Sequence, residues 1–252
     1  AGDVGVANDG RITTHEDFSY GVLAQSVGGG GGAGGSSIAA TGNISMPEIP
    51  SGGGGGGGQP QLEVQVDFAL ALGGHGGDGN TGGAVTIDNR GAIETAGDGA
   101  HGVYAQSIGG GGGVGGNARA LTVSIDPANW SPVDPPPDPL SVSKAVDIAI
   151  GGDGGTGEDA GHVEVVNSGR ILTQGADAYG IFAQSIGGGG GDGGGGYHGL
   201  DWADLGVPDE LVPYFELMPI QSEGDLNIVV GGSGAHSGNA ETVSVNTTGD
   251  IA

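Results

Sequence analysis

The 252-residue sequence contains no cysteine, few basic side chains and few aromatic ones. Without cysteine the chain can form no disulfide, no thiolate metal site and no cysteine nucleophile. Five Lys and Arg residues against thirty Asp and Glu residues give a net charge of -25. This balance argues against nucleic acid and anionic membrane surfaces as partners, because phosphate binding needs clustered basic side chains. Aromatic residues make up only 4% of the chain, so a large close-packed globular core is not expected.

Long apolar runs are also absent, so no segment is predicted to insert into or span a bilayer as a helix. What the sequence contains in excess is glycine, with 63 glycines beside 12 prolines. Without a period, such a composition indicates low-complexity or disordered chain. Internal repeats are therefore the first feature to look for, because a missed period misassigns the whole fold.

Three landmarks recur along the chain. The tripeptide AQS places its glutamine at nearly equal intervals, at Gln25, Gln106 and Gln184. A pair of glycines closes an apolar run at Gly73, Gly151 and Gly231. A single marker glycine follows each pair at one constant offset and precedes the next AQS glutamine at another. The marker glycines are Gly10, Gly91, Gly169 and Gly249.

The remaining spacing, from AQS to the next glycine pair, differs in every repeat. A chain in fixed register over one stretch and variable in the next predicts a scaffold with one outward-looping segment per repeat. The whole chain, 1–252, is expected to be a single repeat array and a fragment of a longer protein. The predicted repeats are approximately 1–81, 82–160, 161–240 and a partial 241–252, with inserts at 36–61, 117–145 and 197–222.

Around the marker glycine the repeats share the pattern V-x-V-x-N-x-G-x-I-x-T, whose alternation predicts a half-buried strand. If repeats stack in register, apolar columns form inside, and Asn and Thr columns at the turns hydrogen-bond along the stack. We therefore predict an all-β parallel β-solenoid, or β-helix, of about three 80-residue repeats. Three coils per repeat would add roughly 14 Å of length. The one plausible helical stretch is 208–218.

Glycine runs follow AQS in phase in all three repeats. Ordering a glycine costs about 0.5–1 kcal/mol more than ordering an alanine, so something must offset that cost. Stacking would lay one run on another and let bare backbones pair in extended or polyproline II form, and we predict that these runs are ordered. The run at 51–60 has no counterpart in the other repeats, and a flexible linker is an equally good interpretation there.

The segments GVYAQSIGGGGG and VTIDNRGAIETAGDGAHG resemble the repeat of large glycine-rich autotransporter passengers of Gram-negative bacteria. The resemblance covers nearly the whole chain except the inserts. It implies a passenger β-helix of the type V secretion route, exported through the outer membrane by a C-terminal barrel that these residues do not include. It also implies an adhesin-type role at the bacterial cell surface or in the extracellular medium, and it carries over no catalytic residues.

Calcium is the one cofactor that a motif suggests. The stretch GGHGGDGNT, residues 73–81, matches the nonapeptide of secreted calcium β-rolls. The equivalent stretches lose the sixth-position Asp, and a β-roll needs tandem nonapeptides. Asp78 and Asp153 are the calcium candidates, against loose counter-ion binding by an acidic surface. The six histidines show no metal-ligand spacing, so no other metal site and no cofactor are predicted.

The inserts are the best candidates for contact with a ligand or a partner, because they hold both tryptophans and three other aromatic side chains. Such residues on loops are typical of recognition surfaces. They could equally cap the solenoid or pack on a neighbouring subunit. The candidate residues are Trp130, Trp202, Tyr197, Tyr214 and Phe215.

The leading functional hypothesis is a non-enzymatic structural and adhesive stalk segment, whose partner is a host or abiotic surface or an unidentified glycan or protein. A second hypothesis is an extracellular filament or matrix subunit that self-associates by stacking, since an open solenoid end offers unpaired strand edges. A third is a polysaccharide-active β-helix enzyme that uses Glu158 and Asp159. Ser26, Ser107 and Ser185 are interpreted as a structural ladder, because a nucleophile would not need three copies.

Overall fold

The structure is a computed structural model that describes residues 1–44, 63–125, 141–198 and 226–252. In these ranges every regular element is a β-strand, and no helix has the length and apolarity that a membrane span requires. The first repeat contains β1 (Val4–Asn8), β2 (Ile12–Thr14), β3 (Val22–Val27), β4 (Ser37–Ile44) and β5 (Glu63–Leu72). The second contains β6 (Val85–Asn89), β7 (Ile93–Thr95), β8 (Val103–Ile108), β9 (Ala118–Ile125) and β10 (Ser141–Ile150). The third contains β11 (Val163–Asn167), β12 (Ile171–Thr173), β13 (Ile181–Ile186), β14 (Gly196–His198) and β15 (Leu226–Val230), and β16 (Val243–Thr247) follows.

Each strand pairs in parallel with the equivalent strand of the neighbouring repeat. The five sheets have the orders β1-β6-β11-β16, β2-β7-β12, β3-β8-β13, β4-β9-β14 and β5-β10-β15. The register joins equivalent residues, so that Val85 pairs with Val4 on one side and with Val163 on the other. The all-β class and the parallel in-register stacking are confirmed, and the arrangement is compatible with the predicted β-solenoid.

The expected three coils per repeat are wrong. Each described repeat contributes one strand to each sheet, so one repeat adds one strand spacing, about 4.8 Å, along the stack. The roughly 80 residues of one repeat form five different strands, two glycine segments and the insert, and not three coils.

The predicted inserts also begin too early. Strands β4 and β9 lie within 36–61 and 117–145, β14 begins one residue before 197–222, and β10 begins before 117–145 ends. The sequences SIAATGNI and ARALTVSI share few letters, and alanine and glycine are poor strand formers, so no alternation signal marked them. Parallel backbone pairing needs no particular residue, which explains how they form a sheet. The predictions for 51–60 and 208–218 fall outside the described residues.

A Val and Ile core fills one end of the cross-section. It lies between the β1-β6-β11-β16 and β3-β8-β13 sheets and is closed by β2-β7-β12. Val85, Ile87, Ile93 and Val103 are fully buried there. Each such side chain stabilises the fold by about 1.5–3 kcal/mol, and its equivalents above and below continue the same column.

The two glycine segments of each repeat form two facing layers with a three-residue period. Residues 28–36 and 73–81 both read as triplets that begin Gly-Gly or Gly-Asn. The N–H of the first triplet position donates to a third-position carbonyl one repeat on, as from Gly31 to Gly111 at 2.7 Å. The N–H of the second position donates across to the other layer, as from Gly113 to Gly77 at 2.8 Å. These hydrogen bonds confirm that the glycine runs are ordered, as predicted. Their three-residue period is that of a polyproline II helix.

In the run 109–117 of the middle repeat, only the third position of each triplet has room for a side chain. A Cβ on Gly113 would overlap the carbonyl of Gly32, whereas a Cβ on Gly111 would lie 3.6 Å from the carbonyl oxygen of Gly189. In the run after AQS, side chains therefore occur only at third positions, namely Ala33, Ser36, Val114, Asn117 and Asp192. Residues 73–81 have the same three-residue period, and this spacing of glycines explains why they match the calcium nonapeptide.

Alanines fill the other end of the cross-section, where the β4-β9-β14 and β5-β10-β15 sheets face each other. Ala69, Ala71, Ala118, Ala120 and Ala149 are buried between them. The two walls are thus separated by Val and Ile at one end, by bare backbone in the middle and by methyl groups at the other end.

The triplet rule makes a matched prediction. Gly113→Ala forces a methyl group into a carbonyl of the neighbouring repeat, and we expect it to lower the free energy of unfolding by on the order of 3 kcal/mol. Gly111→Ala lies two positions earlier in the same run, at an open third position. We expect it to be neutral or stabilising by about 0.5 kcal/mol, because alanine reduces the entropy of the unfolded chain. Denaturant unfolding followed by circular dichroism measures both, and equal losses in the two variants would contradict the three-residue layer.

Candidate functional site

A buried asparagine ladder joins the repeats beside the Val and Ile core. Asn8 Nδ2 donates to Asn89 Oδ1 at 2.7 Å, and Asn89 Nδ2 donates to Asn167 Oδ1 at 2.6 Å. Asn167 Nδ2 then donates to Thr247 Oγ1 at 3.2 Å. The predicted asparagine column is confirmed. A second ladder runs through the AQS glutamines, with Gln25 donating to Gln106 and Gln106 to Gln184.

The threonine and serine columns are in register, and the serines have the predicted structural role. The expected hydrogen bonds between threonines are wrong, because the hydroxyls bond to backbone and not to one another. Thr95 Oγ1 donates to the Ala100 carbonyl at 2.6 Å and closes the bend that follows β7. Ser107 Oγ donates to the Gly83 carbonyl at 2.8 Å and accepts from the Gly161 N–H at 2.7 Å. Each such serine therefore links two repeats through glycine backbone, and its lone pair is in use.

The ladder supports a stability prediction. Asn89 is fully buried, and Asn89→Ala leaves an amide donor of Asn8 and an acceptor of Asn167 without partners. We expect a loss of about 2–4 kcal/mol in the free energy of unfolding, since buried unsatisfied groups cost about 1–3 kcal/mol each. Asn89→Thr is the matched control, because Thr247 holds the equivalent place in the next-but-one repeat and accepts from Asn167. Chemical denaturation that ranked the threonine variant below the alanine variant would contradict the ladder.

The calcium candidates are hydrogen-bonded to the next repeat. Asp78 Oδ1 accepts from the Thr156 N–H at 2.7 Å and from its hydroxyl at 2.8 Å, which holds the pKa of Asp78 below its ordinary value. Asp153 Oδ1 accepts in the same way from Ser233, which likewise lowers the pKa of Asp153. The two carboxylates are in different columns and do not converge. Among the described residues no group of three or more His, Asp and Glu side chains is placed to hold a metal ion.

The candidate catalytic pair shows the same arrangement. Asp159 Oδ1 accepts from the Asn239 N–H at 2.6 Å and from its Nδ2 at 3.1 Å. The Glu158 backbone N–H and C=O bond to Gly110 and Gly188 in the facing layer. Both residues therefore have structural partners in the stack, and the acidic pair is part of the scaffold.

A ribbon of aromatic rings lies on the outer side of the β3-β8-β13 sheet. Tyr104 and Phe182 stack with ring centroids 4.9 Å apart and planes 11° apart. His101 stacks on Tyr20 at 5.1 Å and contacts Tyr179 at 5.2 Å. Such pairs contribute about 0.5–1.5 kcal/mol each beyond area burial.

This ribbon was not predicted from the sequence, in which the aromatic residues of the inserts were the expected contact residues. The available signal was the residue before each of Gly21, Gly102 and Gly180, which is Tyr, His and Tyr. The ring faces cover one another along the stack and the ring edges face outward. The ribbon therefore stabilises the register and offers solvent a row of edges and hydroxyls.

His101 is the titratable member of the ribbon. Its Nδ1 accepts from the Tyr179 N–H at 3.0 Å, and partial burial lowers the pKa of His101 below its ordinary value of about 6.5. Because folding favours the neutral ring, the unfolded chain binds the proton more readily. The stability that His101 contributes is complete above about pH 6.5 and is lost as the pH falls through the lower folded pKa.

We therefore expect His101→Asn, which keeps an acceptor and cannot titrate, to flatten the fall in melting temperature between about pH 7.5 and 5.5. His15→Asn, at an exposed position, is the control and should keep the wild-type slope. Differential scanning calorimetry at several pH values measures both slopes. An unchanged slope in the His101 variant would show that His101 does not cause the fall in melting temperature.

Of the aromatic candidates for ligand contact, Tyr197 lies in the described part of the chain. Trp130, Trp202, Tyr214 and Phe215 lie outside it. Tyr197 is 47% exposed, and the Arg119 guanidinium carbon lies 5.7 Å from its ring centroid. The ring borders a shallow groove of about 400 Å³ on the outer side of the β4-β9-β14 sheet, lined also by Ser36, Ser37, Ile38 and Asn117. Ser37 is in register with the fully buried Ala118, and its Oγ is buried without a hydrogen-bond partner. The groove thus combines an aromatic ring, a cation and hydroxyl groups.

No family model, no curated protein and no solved structure matches the chain.

Proposed function

We propose that this chain is a structural and adhesive stalk segment of a bacterial cell-surface or secreted protein of the autotransporter-passenger type. In this proposal about three 80-residue repeats form a parallel β-solenoid. The observation that carries it is a zigzag of backbone hydrogen bonds that alternates between the two glycine layers. It joins Gly35, Gly74, Gly116, Gly152, Gly194 and Gly232, each carbonyl accepting from the next N–H at 2.7–2.9 Å.

The zigzag supports a stalk because a further repeat can continue the same pattern of hydrogen bonds. Each repeat adds two N–H donors and two carbonyl acceptors to it, and the side-chain ladders continue in the same direction. Such an array extends by addition of repeats, as solenoid proteins do, because every repeat contacts its neighbours and buries little alone. Mechanical load along the stack would be shared by all five sheets and both glycine layers.

The position of the inserts supports the adhesive part. Each insert leaves the scaffold after β4, β9 or β14 and re-enters it at β5, β10 or β15. Because Ile44 pairs with Ile125 and Glu63 pairs with Ser141, the attachment points of the first two inserts stack on each other. The first two inserts are therefore attached to the same edge of the scaffold. Variable sequence on a fixed scaffold is the usual arrangement of recognition loops.

The composition supports an extracellular setting and a protein or glycan partner. The chain has no cysteine to be oxidised, and its net charge of -25 disfavours nucleic acid. Polar and aromatic groups near Tyr197 and Arg119 offer hydrogen bonds and a ring face, which suit a glycan or a peptide. Host and abiotic surfaces are both within this proposal.

The proposal is tested by exchanging the inserts. We expect beads coated with the 252-residue chain to be retained on host-cell or abiotic surfaces under flow. Replacing 126–140 and 199–225 by Gly-Ser linkers of equal length should reduce retention about tenfold or more. The stack should survive the exchange, because its ladders and glycine layers lie elsewhere, and circular dichroism checks this. Retention that is equal with and without the inserts would place adhesion on the scaffold, and no retention of the parent chain would remove the adhesive role.

An extracellular filament subunit is the second candidate, and the register of the sheets favours it. Every described sheet joins equivalent strands in parallel, so the pairing uses the same backbone groups in each repeat. Equivalent edges from another molecule could continue the sheets end to end.

A further inference from the structure

The groove beside Tyr197 runs along the stack, where the glycine layer that contains residues 28–36 meets the β4-β9-β14 sheet. Its volume of about 400 Å³ lies within the range of small-ligand sites. Two rows of side chains border it, and we call it the Arg119 groove. Ser36, Asn117 and Gly195 form one row; Ile38, Arg119 and Tyr197 form the other.

Neither row repeats a residue type. The asparagine and glutamine ladders keep one residue type because their side chains bond to one another along the stack. The two rows of the Arg119 groove change at every repeat on an unchanged backbone register. Variable side chains on a fixed scaffold are typical of recognition surfaces.

The backbone bonds of the first row fix which polar groups remain for a ligand. Ser36 Oγ accepts from the Asn117 N–H at 3.2 Å, and Asn117 Oδ1 accepts from the Gly195 N–H at 2.7 Å. Both bonds use acceptor oxygens. The Ser36 O–H and the Asn117 Nδ2 hydrogens are left as donors, and neither has a partner among the described residues.

Gly195 brings the two rows together. A Cβ on Gly195 would overlap the hydroxyl end of the Tyr197 ring, so the ring lies back over glycine toward the first row. Its hydroxyl is therefore beside the residue that Asn117 binds. The Arg119 guanidinium carbon lies 5.7 Å from the centroid of the same ring. Amide, hydroxyl and guanidinium donors thus converge at one place.

The charge in the groove is positive. Of the seven described residues that line it, Arg119 alone is charged, in a chain with 5 basic and 30 acidic side chains. A guanidinium donates two parallel hydrogen bonds to a carboxylate, and the neutral donors beside it suit further oxygen atoms. Ile38 and Tyr197 are 48% and 47% exposed and add apolar contact area.

A sugar fits these groups better than a peptide does. A pyranose ring has oxygen atoms at its edge and C–H groups on its faces, which match the donors and the apolar side chains. Each residue of an acidic peptide brings a backbone N–H that needs an acceptor. The acceptor oxygens of Ser36 and Asn117 are already in use.

We propose that the Arg119 groove binds a uronic acid residue of a glycan. The carboxylate accepts from Arg119, and hydroxyl oxygens accept from Asn117 Nδ2 and the Ser36 O–H. This inference rests on the proposed adhesive function and names its ligand class. The net charge of -25 repels densely charged polymers, so the ligand is a glycan whose uronates are separated by neutral sugars.

A ligand-observed NMR titration of the full 252-residue chain with methyl β-glucuronide tests the proposal. We expect a Kd of about 1 mM, and binding about tenfold or more weaker for the uncharged methyl β-glucoside. Arg119→Gln should weaken glucuronide binding about tenfold or more. Arg170→Gln is the matched control, because it removes the same charge from an exposed arginine outside the groove. It should bind as the parent chain does.

Asn117→Asp separates binding from folding. Aspartate keeps the oxygen that accepts from Gly195, as Asp159 does for Asn239, but it loses the amide donors and adds a negative charge. We expect an unchanged melting temperature by circular dichroism and a loss of glucuronide binding of about tenfold or more. This variant carries the test if Arg119→Gln does not fold.

Three results would overturn the proposal: no glucuronide binding at about 10 mM, equal binding of glucuronide and glucoside, or equal binding by Arg119→Gln and Arg170→Gln. Equal binding of N-acetylglutamate would overturn the sugar class in favour of an acidic peptide. The chain with exchanged inserts keeps the groove and should bind the glucuronide. Loss of surface retention with intact glucuronide binding would remove the adhesive role alone, and the reverse would remove this site alone.

Discussion

Everything in this fold depends on backbones that approach each other without side chains between them. In the two glycine layers, two of every three residues donate an N–H to another repeat or to the facing layer, and Gly113 does so with no room for a methyl group. Each glycine costs about 0.5–1 kcal/mol more to order than alanine, and each hydrogen bond returns about 0.5–1.5 kcal/mol net. The layers are therefore close to neutral by themselves. The Val and Ile core at one end and the alanine core at the other hold them in place.

The acidity of the chain follows partly from the same geometry. Third-position N–H groups, such as those of Thr156, Ser233 and Asn239, meet an Asp side chain of the preceding repeat. The third-position N–H is a hydrogen-bond donor, so the side chain that bonds to it must be an acceptor. That side chain must also have the right length to reach the N–H one strand spacing away. Aspartate meets both conditions, and lysine and arginine meet neither. The carboxylates of Asp78, Asp153 and Asp159 are thus hydrogen-bond acceptors within the stack.

Three features were predictable because the same residue types recur at the same offset in each repeat. They are the period, the strand at the marker glycine and the asparagine ladder. Val4, Val85 and Val163 repeat as sequence and therefore as structure. Strands β4 and β9 were not predictable in this way, since backbone pairing between Ala39 and Ala120 leaves no distinctive letters. The aromatic ribbon was missed for a related reason. His101 interrupts the match between Tyr20 and Tyr179, because stacking selects for a planar ring and not for one residue type.

One strand per repeat has a consequence for how this molecule meets others. Features on its surface recur about every 4.8 Å along the stack, so they form continuous rows and not separate sites. The attachment points of the first two inserts form such a row, since Ile44 pairs with Ile125 and Glu63 pairs with Ser141. In the proposed adhesive role, weak contacts made by inserts attached one strand spacing apart would act at high effective concentration. Each added repeat would therefore strengthen the binding.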